Sequence, residues 1–322
     1  MREPELRFDP FTEGWVVVAP LRKGIGGMRP AGLPQPAGER CPFCPGHEAD
    51  TEETVLALGD PWRVRVVANR YPLVREDAPE PDRDRGSFDS RAARGAHEVV
   101  IESPVHDDDL ATLAPDHALS VLLAWRERLR ALERRRDVRS VVLFRNRGRR
   151  AGSSQPHPHS QIVALPIVPP AVELRARIAA KEAHGSETLL MRVLTDERRA
   201  ASRIVLDEDG FVTWCPFAPS RAHETRIAPS FECHRFSALS DAELAVLARR
   251  LVALVAGLLR VTGATDYNVL LRDPPVRGVP HRASFFTLDV LPRTGGDAGF
   301  ELCSGSPVAV ARPEDTASLL RT

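Results

Sequence analysis

Short runs of β-branched and aromatic residues, bounded by proline and glycine, recur along this chain, and each predicts a strand. Gly14 to Pro20 (GWVVVAP) is one; the alternating start of Trp62 to Val74 (WRVRVVANRYPLV) is the next. Ala96 to Pro104 (AHEVVIESP) ends on a hard proline stop, Arg139 to Gly148 (RSVVLFRNRG) runs into a loop, and Gln161 to Pro166 (QIVALP) follows that loop. A Gly/Pro-rich loop is expected over Gly24 to Pro36, and a tight knuckle over Cys41 to Glu48 (CPFCPGHE). Glu76 to Arg94 alternates acid, base and proline, which predicts a mobile surface segment. Over Pro115 to Asp137 the pattern changes period: Leu119, Leu122, Leu123, Trp125, Leu129 and Leu132 recur at helical spacing, and arginines crowd the C-terminal turn, where they complement the helix dipole.

The second half repeats this order. Ser240 to Gly263 predicts an amphipathic helix with Ser240 as N-cap, Glu243 completing a capping box and Gly263 near its end. A strand (DYNVLLRDPP), a loop and a second strand (ASFFTLDVLP) follow, matching the helix, strand, loop, strand and Leu-Pro of the first half. The pattern predicts an internal duplication into halves of about 160 residues, each the size of one domain. Counted back from the shared Leu-Pro, His159 falls opposite Phe285 and Gln161 opposite Thr287, so the first half is expected to hold the single site.

Composition narrows the class. With 44 basic and 44 acidic residues the formal net charge is 0, which argues against bulk electrostatic binding to nucleic acid or an anionic membrane. The bases are arginines except Lys23 and Lys181, a bias that genome composition accounts for. No apolar run reaches bilayer-spanning length, and the first residues lack a signal-peptide core, so a cytoplasmic enzyme is the expectation. The cysteines number 5, an odd count with one Cys-x-x-Cys, which suits metal or redox chemistry better than a disulfide framework.

The chemistry concentrates in Gly152 to Pro166 (GSSQPHPHSQIVALP). On an extended segment His157, His159 and Gln161 share a face, and Pro158 stiffens the segment. Two readings follow from the residues: a metal site, since His-x-His is a common ligand spacing, or nucleophilic catalysis, since imidazole attacks phosphorus and a glutamine amide steadies the oxygens. A polar strand end with two satisfied histidines accounts for the spacing equally well. Gly152, Ser153 and Ser154 just upstream favour a phosphate. The Cys41–Cys44 pair, set in a turn, fits a zinc knuckle better than a redox motif, with His47, His97, His106 and His157 as further candidate ligands among which spacing does not choose. Cys215, Cys233 and Cys303 are read as ordinary residues, His223-Glu224 as a turn, and Asp107 to Asp109 as a helix start or a solvated run.

Taken jointly, PHPHSQ with upstream FRNRGRRAGSS, the CPFC knuckle and HEVVIESPVH resemble the galactose-1-phosphate uridylyltransferases and their relatives in the histidine-triad superfamily. The resemblance extends from ELRFDPFTEGWVVVAP to the GFEL and PED tail. It implies an α+β fold of two histidine-triad-like halves, 1–166 catalytic and zinc-binding and 167–322 without the catalytic histidine, each a mostly antiparallel sheet with a packed helix. It implies that His159 is the nucleophile that becomes nucleotidylated and that Gln161 contacts the phosphoryl oxygens, with a backbone carbonyl near His157 fixing the His159 tautomer. By the same resemblance Cys41, Cys44, His106 and His157 hold one structural zinc, Asn69, Phe144, Asn146, Gly152, Ser153 and Ser154 contact the nucleotide, and Arg22 lies on the phosphate side near a homodimer partner's site. The implied activity is UDP-glucose:hexose-1-phosphate uridylyl transfer in galactose metabolism.

Departures keep other readings open. Ile25 stands where the pattern has a second arginine, with Arg29 nearby, and Ser153 stands where many uridylyltransferases have cysteine. The usual lysine and glutamine are not recognisable in Gly295 to Pro307, and GDAGFELCSGSPVAVARPED is similar to the ADP-glucose phosphorylase branch, which transfers adenylyl to inorganic phosphate. A secondary-pathway nucleotidyltransferase and a non-enzymatic zinc-stabilised nucleotide binder are the remaining alternatives. No second zinc is expected, since His234 and His281 have no Cys-x-x-Cys beside them in the second half.

Overall fold

The strand-forming runs of the two halves join in one sheet. The computed structural model describes residues 5–9, 14–18, 40–80, 89–183, 187–280 and 284–322. In chain order, the first half contributes β1 (Glu5–Asp9), β2 (Gly14–Val18), β3 (Thr54–Leu58), β4 (Val64–Ala68), β5 (Ser90–Ala92), β6 (Ala96–Ile101), α1 (Pro115–Glu133), β7 (Ser140–Arg147) and β8 (His159–Leu165). After α2 (Pro170–Glu182) and α3 (Leu189–Ala200) come β9 (Ile204–Glu208), β10 (Phe211–Trp214), β11 (Thr225–Pro229), α4 (Asp241–Thr262), β12 (Tyr267–Arg272), β13 (Thr287–Pro292), α5 (Gly299–Ser304) and α6 (Pro313–Arg321).

Among the described residues, ten strands form an antiparallel sheet in the order β3-β4-β6-β8-β7-β12-β13-β11-β10-β9. Read inward from either edge, each half lays down its strands in the same order, and the halves meet where β7 pairs with β12, Leu143 opposite Leu271. The fold is therefore α+β and antiparallel, as the family resemblance implied. A three-stranded sheet, β2-β1-β5, stands beside it. No helix of the described residues is long and apolar enough to cross a membrane.

One face of the large sheet is a dry core. Proline at the first position starts α1, and the capping box of Ser240 and Glu243 starts α4, which ends on Gly263 in the left-handed conformation at φ 63°. The apolar stripes of the two helices pack on each other and on the sheet. Along β8 the side chains alternate: Ile162 and Ala164 enter this core, whereas Val163 and Leu165 join a smaller cluster on the opposite face with Leu6, Val74 and Ala93. Ser160 also points to the helix side, where its Oγ accepts a 2.7 Å hydrogen bond from Nε1 of fully buried Trp125. Alternation then puts His159 and Gln161 on the face that the helices leave open. Trp125→Ala removes the largest buried side chain of this core and the partner of Ser160. We expect it to destabilise the protein by about 3–5 kcal/mol, read from the urea unfolding midpoint at unchanged slope.

Two expectations are corrected. Glu76 to Arg94 is not wholly a surface segment: β5 pairs with β1, and Ala78, Ala92 and Ala93 are buried. Its partner lies some eighty residues upstream, so local composition carried no sign of it. Asp107 to Asp109 start no helix. Asp109 turns inward, accepting 2.7 Å from the Tyr267 hydroxyl and 2.5 Å from Nε of Arg147, because two arginines and a tyrosine from β7 and β12 converge beneath it. The loop expected over Gly24 to Pro36 lies outside the described residues.

Candidate active site and metal centre

Neighbouring strands carry the site across the open face of the sheet. Asn69 follows β4, His97 lies on β6, His159 and Gln161 on β8, Phe144 and Asn146 on β7, and Asn268 on β12. The register sets Gln161 between Val99 on one side and Phe144 on the other, and Asn146 opposite Asn268.

His159 begins β8 and is 6% exposed. Its Nδ1–H donates to the backbone carbonyl of His157 at 2.9 Å, the tautomer-fixing contact expected above, which leaves the lone pair on Nε2. Burial pushes its pKa down to about 4, and the Arg145 guanidinium opposes the charged ring as well, so the imidazole is neutral near pH 7. Its ring packs edge-on against Phe43 of the knuckle, 5.6 Å between centroids.

His157 is fully buried and turned the other way round. Nε2–H donates to the carbonyl of Ser103 at 2.7 Å, so Nδ1 carries the lone pair, and it lies 3.6 Å from the sulfurs of both Cys41 and Cys44. Nδ1 of His106 lies 3.4 Å from the Cys44 sulfur. The ligand atoms of Cys41, Cys44, His106 and His157 all fall within 4.8 Å of one another, a set that could hold a metal ion. Burial pushes the Cys44 thiol up to about 11, with Cys41 adding to it, so a bound cation would have to displace that proton. Of the other two candidate histidines, His47 instead donates Nδ1–H to the carbonyl of Cys41 at 2.7 Å, and His97 sits on the sheet beside Gln161.

The segment that carries both histidines is pinned from below. Glu102 N–H donates to the carbonyl of Pro158 at 3.0 Å, and His117 Nε2–H to the carbonyl of Glu102 at 2.7 Å. The Glu102 carboxylate meets Nε of Arg145 at 2.7 Å, with side chains 0% and 1% exposed, and Arg145 also donates to the Tyr267 hydroxyl at 2.8 Å. A buried pair this well bonded is costly to break from one side, and here it ties the segment after β6 to β7 and β12.

The glycine loop upstream is built for close approach. At Gly148 (φ 80°) an added Cβ would sit 2.3 Å from Cγ of Asp266, whose carboxylate accepts from the Arg150 N–H at 2.7 Å. Gly152 also has positive φ, 87°. Ser153 Oγ donates to the carbonyl of Gln155 at 2.7 Å, and Ser154 is exposed. Asn268 donates through Nδ2 both to the Ala151 carbonyl at 2.9 Å and to Oδ1 of Asn146 at 2.8 Å, which turns the NH2 of Asn146 to the opposite side.

Of the residues picked from the sequence, all but Arg22, which lies outside the described residues, fall into this one region. Sequence reasoning missed Glu102, Asp109, Arg145, Tyr267 and Asn268, and it carried His97 only as a spare metal ligand. A charge inside an apolar strand run, Arg145 within VVLFRNR and Glu102 at the end of HEVVIE, was the available signal, because such charges are buried only when paired. Of the other residues read from the sequence, His223 lies in a turn at φ 63°, Cys215 and Cys233 are buried and Cys303 is exposed, while His281 lies outside the described residues.

This arrangement has counterparts. The galactose-1-phosphate uridyl transferase N-terminal domain profile matches residues 1–169. An ADP-glucose phosphorylase of Arabidopsis thaliana is 28% identical across 99% of this chain and 93% of its own length. A galactose-1-phosphate uridylyltransferase of Haemophilus influenzae is 30% identical across 77% of this chain and 72% of its own. A solved uridylyltransferase superposes with a TM-score of 0.83 at 31% identity, covering 98% of this chain and 97% of that one. With a neutral buried imidazole, a Cys/His cluster and these relatives in agreement, the chain belongs to the galactose-1-phosphate uridylyltransferase family of nucleotidyltransferases.

Proposed function

We propose that the protein moves a nucleoside monophosphate between a nucleoside diphosphate hexose and a second phosphate, in two displacements at His159. Nε2 attacks the α-phosphorus, an N–P bond forms, the P–O bond to the hexose 1-phosphate breaks, and that anion leaves. An oxygen of a second sugar 1-phosphate, or of inorganic phosphate, then attacks the same phosphorus and breaks the N–P bond. No proton has to leave the ring: Nδ1–H stays on the His157 carbonyl while positive charge builds and disperses. The observation that carries the reading is this neutral ring, with its lone pair held on Nε2 and Gln161 two residues along the same strand face.

Gln161 is the donor to the phosphoryl oxygens as they crowd, a preorganised contribution of the oxyanion-hole kind. Phe144, Asn69, Asn146 and the Gly152–Ser153–Ser154 loop form the nucleotide side. Arg22 is the phosphate-side arginine, supplied across a homodimer. Cys41, Cys44, His106 and His157 fit zinc: tetrahedral bonds of about 2.3 Å to sulfur and about 2.0 Å to nitrogen would put S and N about 3.5 Å apart, against 3.4 and 3.6 Å here. Zinc would serve as a structural clamp. The protein's own contribution is to hold His157, and with it the carbonyl that orients His159.

Two donors are argued. The uridylyl reading, with UDP-glucose and a hexose 1-phosphate, follows from the solved uridylyltransferase that matches nearly the whole chain. The adenylyl reading, with ADP-glucose and inorganic phosphate, follows from the whole-length match to the Arabidopsis phosphorylase and from the segment Gly295 to Pro307, which lacks the uridylyltransferase lysine and glutamine. Intact-mass measurement after incubation with UDP-glucose or with ADP-glucose decides between them. One covalent UMP or AMP on His159 is expected and names the base, and no adduct with either donor overturns the reading.

A further inference from the structure

We infer that His97 is a positioning residue for this transfer: its ring holds the Gln161 carboxamide in the one orientation that presents NH2 to a phosphoryl group. The inference rests on the reading of His159 as the nucleophile.

Donor and acceptor chemistry assigns the ring. The backbone N–H of Leu73 can only donate, and it lies 3.0 Å from Nδ1 of His97. Nδ1 therefore carries the lone pair, and the ring proton is on Nε2. Nε2 lies 2.9 Å from Oε1 of Gln161. With the proton there, only the carboxamide oxygen can face the ring; a flipped amide would set N–H against N–H. The NH2 of Gln161 is thus turned away from His97, on the face that His159 shares. His97 is 4% exposed, so water is not at hand to take over the ring's part.

The same logic reaches the other flank. Oδ1 of Asn69 accepts from the Tyr71 N–H at 2.8 Å, so Asn69 turns its NH2 to the ring, 3.2 Å from Nε2 of His97; two N–H groups do not bond each other, and Oε1 of Gln161 is left as the acceptor for the Nε2 proton. Two carboxamides flank one imidazole, and each has its oxygen engaged by an N–H. The support is also rigid: His97 and Val99 lie on β6, Val99 faces Gln161, and Asn69 is tied to β6 through its N–H to the His97 carbonyl at 2.8 Å. A metal role does not compete, because the four-residue Cys/His cluster does not include His97.

The test compares two polar replacements. In His97→Gln the longer amide can place an N–H donor near the Nε2 position. In His97→Asn the shorter amide keeps an acceptor for Leu73 but falls short of Gln161. Loading of His159 is followed in single turnovers by rapid quench and intact mass, with whichever of UDP-glucose and ADP-glucose loads the wild-type protein. His97→Asn is expected to slow loading by about 10–100-fold at saturating donor, the usual scale for a lost supporting contact, with donor affinity little changed. His97→Gln is expected to recover most of the rate. In a Gln161→Ala background, His97→Asn should cost nothing further. Equal losses in both backgrounds, equal rates for the Asn and Gln variants, or an Asn variant as fast as wild type would each overturn the role of His97 while leaving the transfer reading intact. A wild-type protein that loads from neither donor overturns the transfer reading and this inference with it.

Discussion

His159→Gly is expected to abolish the proposed nucleotidyl transfer while leaving the protein folded and able to bind a nucleotide sugar. The expected loss in turnover is on the order of 10⁵-fold, about 7 kcal/mol of barrier, the scale seen when a covalent nucleophile is deleted. The magnitude follows from what the ring supplies. Nε2 is the only atom of the side chain able to bond phosphorus, and the His157 carbonyl and burial already hold it neutral. Nothing adjacent can replace it: Gln161 is not a nucleophile, and His157 has Nε2 bonded to Ser103 and Nδ1 facing two sulfurs. Removing the ring leaves a gap against Phe43, a modest cost spread over a well-packed strand. The check is threefold: intact mass for the adduct, donor binding by calorimetry, and circular dichroism for the fold. An enzyme loses the adduct and keeps the other two. A nucleotide binder without catalysis shows no adduct in the wild-type protein either, and a variant that still loads would move the nucleophile elsewhere.

Cys44→Ser is expected to strip the proposed zinc and to destabilise the chain by about 3–5 kcal/mol, the upper end of single-substitution effects, where metal loss falls. Cys44 is central to the cluster, lying near both His106 and His157. Without a thiolate there, the remaining donors do not complete a tetrahedron. The effect should propagate to activity, because His157 is held from one side by Ser103 and from the other by the cluster, and its carbonyl orients His159. Zinc content by elemental analysis should fall from one per chain toward zero, and prolonged chelation of the wild-type protein should reproduce the loss of stability. Cys303→Ser is the control: that thiol is exposed and outside the cluster, and its replacement should shift stability by less than about 0.5 kcal/mol. Full zinc occupancy in Cys44→Ser would overturn the assignment of the centre.

Much of the architecture was legible because it is written in local periodicity. Helix α4 announced itself through the spacing of Leu244, Leu247, Leu251 and Leu258 and through the Ser240–Glu243 box, and the strands of the HPHSQ region through alternation. The repeat of helix, strand, loop and Leu-Pro was visible for the same reason. What the repeat could not say is how the halves meet. Pairing of β7 with β12 is a contact between segments more than a hundred residues apart, set by backbone hydrogen bonding and the burial of both helices on one face. The strand β5 was lost for a like reason, since three residues hold it only through β1.

For the site, the sequence by itself determined the cast: two imidazoles and an amide on one face, a thiol pair, and a glycine-serine loop. A two-residue period and a proline are enough for that, because they act through the local chain. Spacing does not tell the two rings apart; the tertiary structure does, by their surroundings. It separated His157 from His159 by giving one ring its Nε2–H to Ser103 and the other its Nδ1–H to His157, so that one lone pair faces sulfur and the other does not. It placed His106, which the family resemblance implied but spacing did not choose over His47 and His97, with Cys41, Cys44 and His157, and it gathered Glu102, Arg145, Asp109 and Tyr267 into a buried ionic support. The physical reason is the same in each case: the proton position on a buried ring, and the partner of a buried charge, are fixed by atoms distant in sequence, which fold must bring within about 3 Å before chemistry can tell one histidine from the next.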